Sequence, residues 1–260
     1  MSMKSRRDFL KTAGLCAAGL SVASPCLTLA EAVAAPKEGT MVKSATELSA
    51  KRWGMVIFTK KMADKTLQRN VINACHSYHN VPAITGPQEV KWLWADDYNA
   101  TFPDQTSNFP ARALTERTFL LLCNHCENPP CVRACPTQAT FQREDGIVVM
   151  DYHRCIGCRF CMAGCPYGAR SFNFKDPQDS VVRPNMNFPM RMRGVVEKCT
   201  FCSELLSKGK MPLCVEASEG GILFGDLMDE KSSVRKALEE NVAIRRKPSI
   251  GTQPGVYYIL

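Results

Sequence analysis

Residues 155–166 read Cys155-Ile-Gly-Cys158-Arg-Phe-Cys161-Met-Ala-Gly-Cys165-Pro166. Four cysteines stepped by three, three and four positions and closed by a proline set the frame for the rest of the chain. The first three thiolates of such a run lie on one tight loop and reach three irons of a single cubane [4Fe-4S] cluster. The fourth has travelled too far along the chain and points at a neighbouring cluster. Pro166 then starts a new segment with its φ preset. Closed zinc sites use two short cysteine pairs instead of four closely spaced thiols and a proline.

Upstream, Cys123, Cys126, Cys131 and Cys135, followed by Pro136, repeat the run with two extra residues in the gap that holds Pro129 and Pro130. Crossing over of the fourth ligand then gives one cluster on Cys123, Cys126, Cys131 and Cys165. Its partner takes Cys155, Cys158, Cys161 and Cys135. Cys199, Cys202 and Cys214 form a third run, and Ser218 stands where its fourth ligand belongs. Cys75 is alone on the amino-terminal side. Reading back from it at the same spacing meets Val71, Gln68 and Lys65, and placing the first ligand just after the strand-like Trp53–Lys61 stretch meets Met62. Crossover accounts for both defects: Cys75 completes the Cys199, Cys202, Cys214 set, and the twin of that cluster has lost its whole ligand set. Two readings stay open beside it, a [3Fe-4S] cluster without Cys75 and an oxygen ligand from Ser218. Met62 and Val71 are expected as ordinary core.

The chain has 260 residues, enough for a real core in one or two domains. A disulfide scaffold is disfavoured, since thiols three residues apart close only tiny loops and a chain this long needs no staples. Covalent haem is disfavoured too, because Glu127, Arg159 and Ser203 occupy the places where a histidine would follow CxxC. The formal charge is +8, from 33 Lys and Arg against 25 Asp and Glu. Clusters at roughly −2 each, four thiolates included, offset most of it. No basic tract is interleaved with stacking aromatics, so no nucleic-acid partner is expected.

Residues 1–34 carry a twin-arginine signal, Ser5-Arg6-Arg7-Asp8-Phe9-Leu10-Lys11, then a dilute apolar stretch and the Ala32-Val33-Ala34 cleavage pattern. The expectation is export in the folded state to the periplasmic face, with membrane association through partners. Twelve of the 14 cysteines then remain, as three sets of four with no remainder: three [4Fe-4S] clusters. Residues 35–50 read as a linker. Strands are expected at Trp53–Thr59, Arg117–Leu122, Gly221–Leu227 and Val256–Ile259, and helices at Asp64–His79 and Val234–Arg246. Thr140–Asp151 reads as a hairpin turning at Glu144-Asp145-Gly146. Residues 82–110 read as an inserted hairpin and loop whose aromatics fill a satellite core. The segment 177–193 is a candidate docking surface, the alternative being a mobile loop. Arg133, Arg154, Arg159, Arg170 and Lys198 flank ligands and are positioned to raise cluster potentials or to face solvent. His125 is read as a packing residue, and His76, His79 and His153 as candidate haem or proton groups. No substrate site is visible, so the chain reads as a wire, not a catalyst. The rival classes are a non-redox assembly module and a reductase with an open cluster position.

The Cys123–Pro136 and Met150–Arg170 spans resemble the four-cluster ferredoxin-like electron-transfer subunits of dimethyl-sulfoxide, polysulfide and formate oxidoreductases. Cys75-His-Ser-Tyr-His-Asn-Val-Pro82, Arg193–Cys202 and the Tyr257-Tyr258 ending are similar to the DsrO type, exported iron-sulfur subunits of the membrane complex tied to dissimilatory sulfite reduction. The resemblance implies an α+β fold of two ferredoxin-like modules with inserted hairpins and loops. One is a two-cluster module over 115–185. The other, over 51–114 with 186–260, is degenerate and retains one cluster. It also implies an integral-membrane, quinone-interacting partner, a multihaem cytochrome c neighbour and a cytoplasmic-facing module. An alternative within the resemblance is the iron-sulfur subunit of an exported molybdopterin oxidoreductase. The missing fourth cluster is the departure from the pattern.

Overall fold

The computed structural model describes residues 46–105 and 108–260, so the signal and most of the linker lie outside the described residues. Ten strands run along the described chain: β1 Trp53–Phe58, β2 Leu93–Asp96, β3 Phe119–Leu122, β4 Thr140–Gln142, β5 Val148–Met150, β6 Ser171–Phe172, β7 Val196–Glu197, β8 Ile222–Asp226, β9 Ala243–Ile244 and β10 Val256–Ile259. The two longer helices are α1, Lys65–Tyr78, and α2, Ser233–Glu240.

The largest sheet has the order β8-β1-β10-β9, with β1 antiparallel to β8 and parallel to β10. It ties the start of the described chain to its end. Alternation along β1 sends Met55 and Ile57 into the main core beside Phe224, Tyr258 and Phe119, while Val56 meets Val234 and Ala237 of α2 on the other face. Gly225 lets α2 lie close, since a Cβ there would fall 2.6 Å from Val234 Cγ2. Ser232 caps α2 by accepting from the Arg235 N–H at 3.3 Å.

Asp64 caps α1 by accepting from the Thr66 N–H at 2.8 Å. Gln68, Val71 and Cys75 then fall on one buried face of that helix, as spacings of three and four require. Gln68 is pinned there by donating to the Met62 and Thr118 carbonyls. The helix ends at Tyr78, and Asn80 (φ 52°) turns the chain away.

Several expected elements differ. Among the described residues of 82–110 there is no hairpin internal to the stretch: β2 pairs with β3 outside it, Leu93 opposite Leu122. Trp92, Tyr98 and Phe102 belong to the main core instead of a satellite, and Phe109 is exposed. The expected helix to Arg246 stops at Glu240, where Asn241 turns extended and Ala243–Ile244 pair with β10. Leu48 and Ala50 pack on the main core, so the linker ends before them. Within 177–193, Val182 and Met186 are exposed, but Phe188 and Arg191 are buried. Among the described residues, no helix is long and apolar enough to cross a membrane.

Arg191 anchors that segment. Its guanidinium pairs with Glu197 at 2.6 Å and donates to the Asn80 carbonyl at 2.7 Å, and both side chains of the pair are almost fully buried. Glu197 also accepts from Trp92 Nε1 at 2.7 Å and from the Asn173 amide. Removing one member of such a pair strands a buried charge. Arg191→Met should therefore cost about 3–5 kcal/mol, seen as a lower urea midpoint of the holoprotein; an unchanged midpoint contradicts the anchor.

Candidate metal centre

All twelve cysteines in the described residues carry free thiols. Eight are buried, three are half-buried, and Cys158 is exposed. They gather in three neighbourhoods.

Cys75 comes from the last turn of α1, Cys199 and Cys202 from the loop after β7, and Cys214 from the one-turn helix Leu213–Glu216. Phe201 and Cys202 both take left-handed φ, 54° and 51°, which curls the loop so that the Phe201 N–H points to Cys199 Sγ at 3.4 Å. Burial pushes the Cys75 thiol well above its ordinary range, and the thiols of Cys199 and Cys214 push it further. Cys202 is raised in the same way by burial and then by Cys214, Cys75 and Cys199. Burial pushes Cys214 up to about 12. Residues more than a hundred positions apart in sequence thus bring four thiols close enough to oppose one another's ionisation. At the edge, His79 bonds the Cys75 carbonyl through Nδ1 at 2.8 Å and Glu204 through Nε2 at 2.9 Å. His79, Cys202 and Glu204 lie close enough to share a single ion, but Cys202 also faces the other three thiols, which favours the four-sulfur grouping.

The second neighbourhood is a cavity lined by Cys123, Cys126, Cys131 and Cys165, with Pro129, Pro130, Val148, Tyr167 and Ala169 as apolar walls. Burial, then the Cys123 thiol, pushes Cys126 up to about 12. In the third, Cys161 lies by Cys135, and Cys155 packs against the same small core as Cys131, Cys161, Val148 and Val196. Burial opposes ionisation of Cys135, yet the N–H groups of Thr140, Thr137 and Ala139 and the Thr137 hydroxyl together bring it below the usual thiol range. Exposed Cys158 is on the loop between Cys155 and Cys161. The cavity set lies between the other two: Cys123 neighbours Cys199, and Cys131 neighbours Cys161.

Two observations test whether this donor set suits anionic iron-sulfur groups. Arg170, buried, donates to Cys131 Sγ at 3.1 Å and to Thr140 Oγ1 at 3.0 Å, and Lys198, fully buried, donates to the Cys199 carbonyl at 2.7 Å and to the Val148 carbonyl. Neither has a carboxylate partner among the described residues. An isolated buried cation costs several kcal/mol, so a negative group belongs beside each. The Asn124 side chain lines the cavity, is 1 % exposed and has no hydrogen-bond partner at either end. An acceptor sulfide there would take its N–H. The residues fit four-thiolate [4Fe-4S] groups.

His125 sits between two cavity thiols in the sequence. Its Nδ1 accepts from the Val148 N–H at 3.1 Å and its ring stacks on Phe201 at 3.7 Å. Burial, then Lys198, holds it neutral. His76 is pushed down to about 4 by burial and accepts from the Leu93 N–H at 3.4 Å, while His153 is exposed. Among the flanking cations, Arg133 is exposed, Arg154 pairs with Asp151 at 3.3 Å, and Arg159 lies over Phe172 and Phe174. Asn124 and Glu204 escaped the sequence reading, although Asn124 lies inside a CxxC and could have been singled out there.

Around the absent ligands the interior is filled. Met62 and Val71 are buried in the main core, and Met62 packs on Gly221, where any Cβ would collide with its sulfur. The Ser218 hydroxyl donates to the Val215 carbonyl at 2.7 Å and accepts from the Ile222 N–H at 2.9 Å, which ties it into its own turn. Ser218→Ala should destabilise by about 1–3 kcal/mol through the orphaned Ile222 N–H, measured by denaturation. Ser218→Cys should leave the iron content per chain unchanged; a gain of iron contradicts the filled site.

Residues 116–227 match the family model described as a 4Fe-4S dicluster domain. The chain is 36 % identical to the Hdr-like menaquinol oxidoreductase iron-sulfur subunit 1 of Archaeoglobus fulgidus over 98 % of both chains. It is 34 % identical to the menaquinone reductase iron-sulfur cluster-binding subunit of Nitratidesulfovibrio vulgaris, over 80 % of this chain and 88 % of that one. The iron-sulfur subunit of the arsenate respiratory reductase of a Shewanella species is 33 % identical, over 80 % of this chain and 96 % of its own. Fold, thiol sets and likeness together define a [4Fe-4S] protein. It belongs to the family of iron-sulfur electron-transfer subunits of oxidoreductase complexes, the non-catalytic partners of such assemblies.

Proposed function

We propose that the chain carries three [4Fe-4S] clusters in a row. Cys155, Cys158, Cys161 and Cys135 hold the first, Cys123, Cys126, Cys131 and Cys165 the middle one, and Cys199, Cys202, Cys214 and Cys75 the last. The observation that carries this is the convergence of Cys75 on Cys199, Cys202 and Cys214, with no thiol left over among the described residues. The approaches Cys131 to Cys161 and Cys123 to Cys199 support the order.

Each cluster, when bound, stores one electron. The chain's own part is to hold the thiols, to exclude water from the middle and last sets, and to bring the first set to the surface at Cys158. In this reading the protein relays electrons between partners of a membrane-bound complex. The relatives named for menaquinol and menaquinone support an integral-membrane, quinone-interacting partner. The DsrO-type motifs support a place in dissimilatory sulfur metabolism beside a multihaem cytochrome c. The twin-arginine sequence supports export to the periplasmic face.

Anaerobically purified protein should contain about twelve irons and as many acid-labile sulfides per chain, with EPR signals that appear upon stepwise one-electron reduction. Cys75→Ser and Cys214→Ser should each alter the same signal and spare the other two. About eight irons, with Cys75→Ser silent, overturns the third cluster, and stoichiometric zinc overturns the reading altogether.

A further inference from the structure

We propose that Arg170 and Lys198 set the reduction order of the relay, making the middle cluster the one that fills first. This rests on the reading of the three thiol sets given above. The two cations occupy the two junctions of the row. Arg170 donates to Cys131, a thiol of the middle set, and also lies beside Cys161 of the first set. Lys198 donates to the carbonyl of Val148, which lines the middle cavity, and to that of Cys199 in the last set. The middle set therefore has a buried cation on each side, and each outer set has one.

The rest of the interior sharpens the contrast. Of the other buried arginines, Arg191 is paired with the Glu197 carboxylate, and Arg246 donates to the Thr101 carbonyl and lies over the Tyr167 ring. Glu197, the last residue of β7, immediately precedes Lys198, but their side chains part: the carboxylate goes to Arg191, Trp92 and Asn173, the ammonium to the Val148 and Cys199 carbonyls. Among the described residues, Arg170 and Lys198 have sulfur, hydroxyl and carbonyl acceptors. Their charge therefore acts on whatever sits among the thiols. Adding an electron makes a cluster more negative, so a nearby cation in a poorly screened interior favours the reduced form. The Arg170 N–H directed at Cys131 Sγ acts in the same direction. Summed over both neighbours, the effect is greatest in the middle. An electron entering from either end then rests at the centre, and both outer steps become uphill departures. These two are positioning charges; neither touches a substrate.

The test is an EPR-monitored redox titration of anaerobic holoprotein, with the Cys75→Ser variant used to assign the last cluster's signal. Iron content reports the cluster reading, and the midpoints report this proposal, so the two fail separately. In Arg170→Gln, the reduced-to-oxidised ratio at the wild-type midpoint should fall about tenfold for the middle cluster, about 59 mV for one electron. The first cluster should shift the same way, and the last should hold. Lys198→Met should lower the middle and last clusters and spare the first. Arg170→Lys, which keeps the charge, should return the middle midpoint most of the way. Variants that keep full iron yet titrate as wild type overturn the proposal. So does an Arg170→Lys protein that shifts as far as Arg170→Gln, and so does a wild-type protein whose middle cluster is not the first to be reduced. If the neutral variants lose iron, the Lys variant and the wild-type order still decide.

Discussion

Thiols packed together out of water resist ionisation twice, once for lack of solvent and once because each thiolate repels the next. Burial raises the thiols of Cys75, Cys126, Cys161, Cys199, Cys202 and Cys214, and it is the same burial that makes the core. Only a group that binds several thiolates at once and shares their charge repays that cost. The arrangement of helices and strands follows from it. The loop with consecutive left-handed Phe201 and Cys202 aims its sulfurs inward, and Pro136 and Pro166 close the other two runs. The long sheet holds residues 53–58 beside 256–259, so that the start and end of the described chain wrap the buried sets.

The same constraint explains the uneven distribution of cations. Most flanking arginines stay at the surface, paired with acids or laid on rings, as Arg154 and Arg159 are. Arg170 and Lys198 do neither. They are buried beside the thiol sets, and Asn124 turns an unpartnered amide toward the same cavity. Around Met62, Val71 and Ser218 the interior is ordinary packing. Methionine sulfur against glycine and a serine bonded within its own turn leave nothing for a metal to bind.

Local spacing made most of the site legible in the sequence. Cys155 to Cys165 and Cys123 to Cys135 are short-range patterns, and the crossover of their fourth members is a property of loop length. The Cys75 set was reached by subtraction, since its members are far apart in the chain and only the tertiary fold can bring α1 beside Leu213–Glu216. The strands of strongly apolar stretches, such as Trp53–Phe58 and Val256–Ile259, were equally plain. Residues 82–110 were not, because β2 is defined by its partner β3 and not by its own residues. Ala243–Ile244 reads as the end of a helix until β10 is there to pair with it. Which of five basic residues is buried depends on what packs over it, and no spacing rule conveys that for Arg170 or Lys198.

The most direct test of three convergent sets is an anaerobic crystal structure of the holoprotein with anomalous scattering measured at the iron edge. The account predicts three iron peaks in a row, with Cys123, Cys126, Cys131 and Cys165 around the middle one and Cys75 Sγ bound at the end occupied by Cys199, Cys202 and Cys214. Two peaks, or a third whose fourth ligand is anything but Cys75, would contradict it.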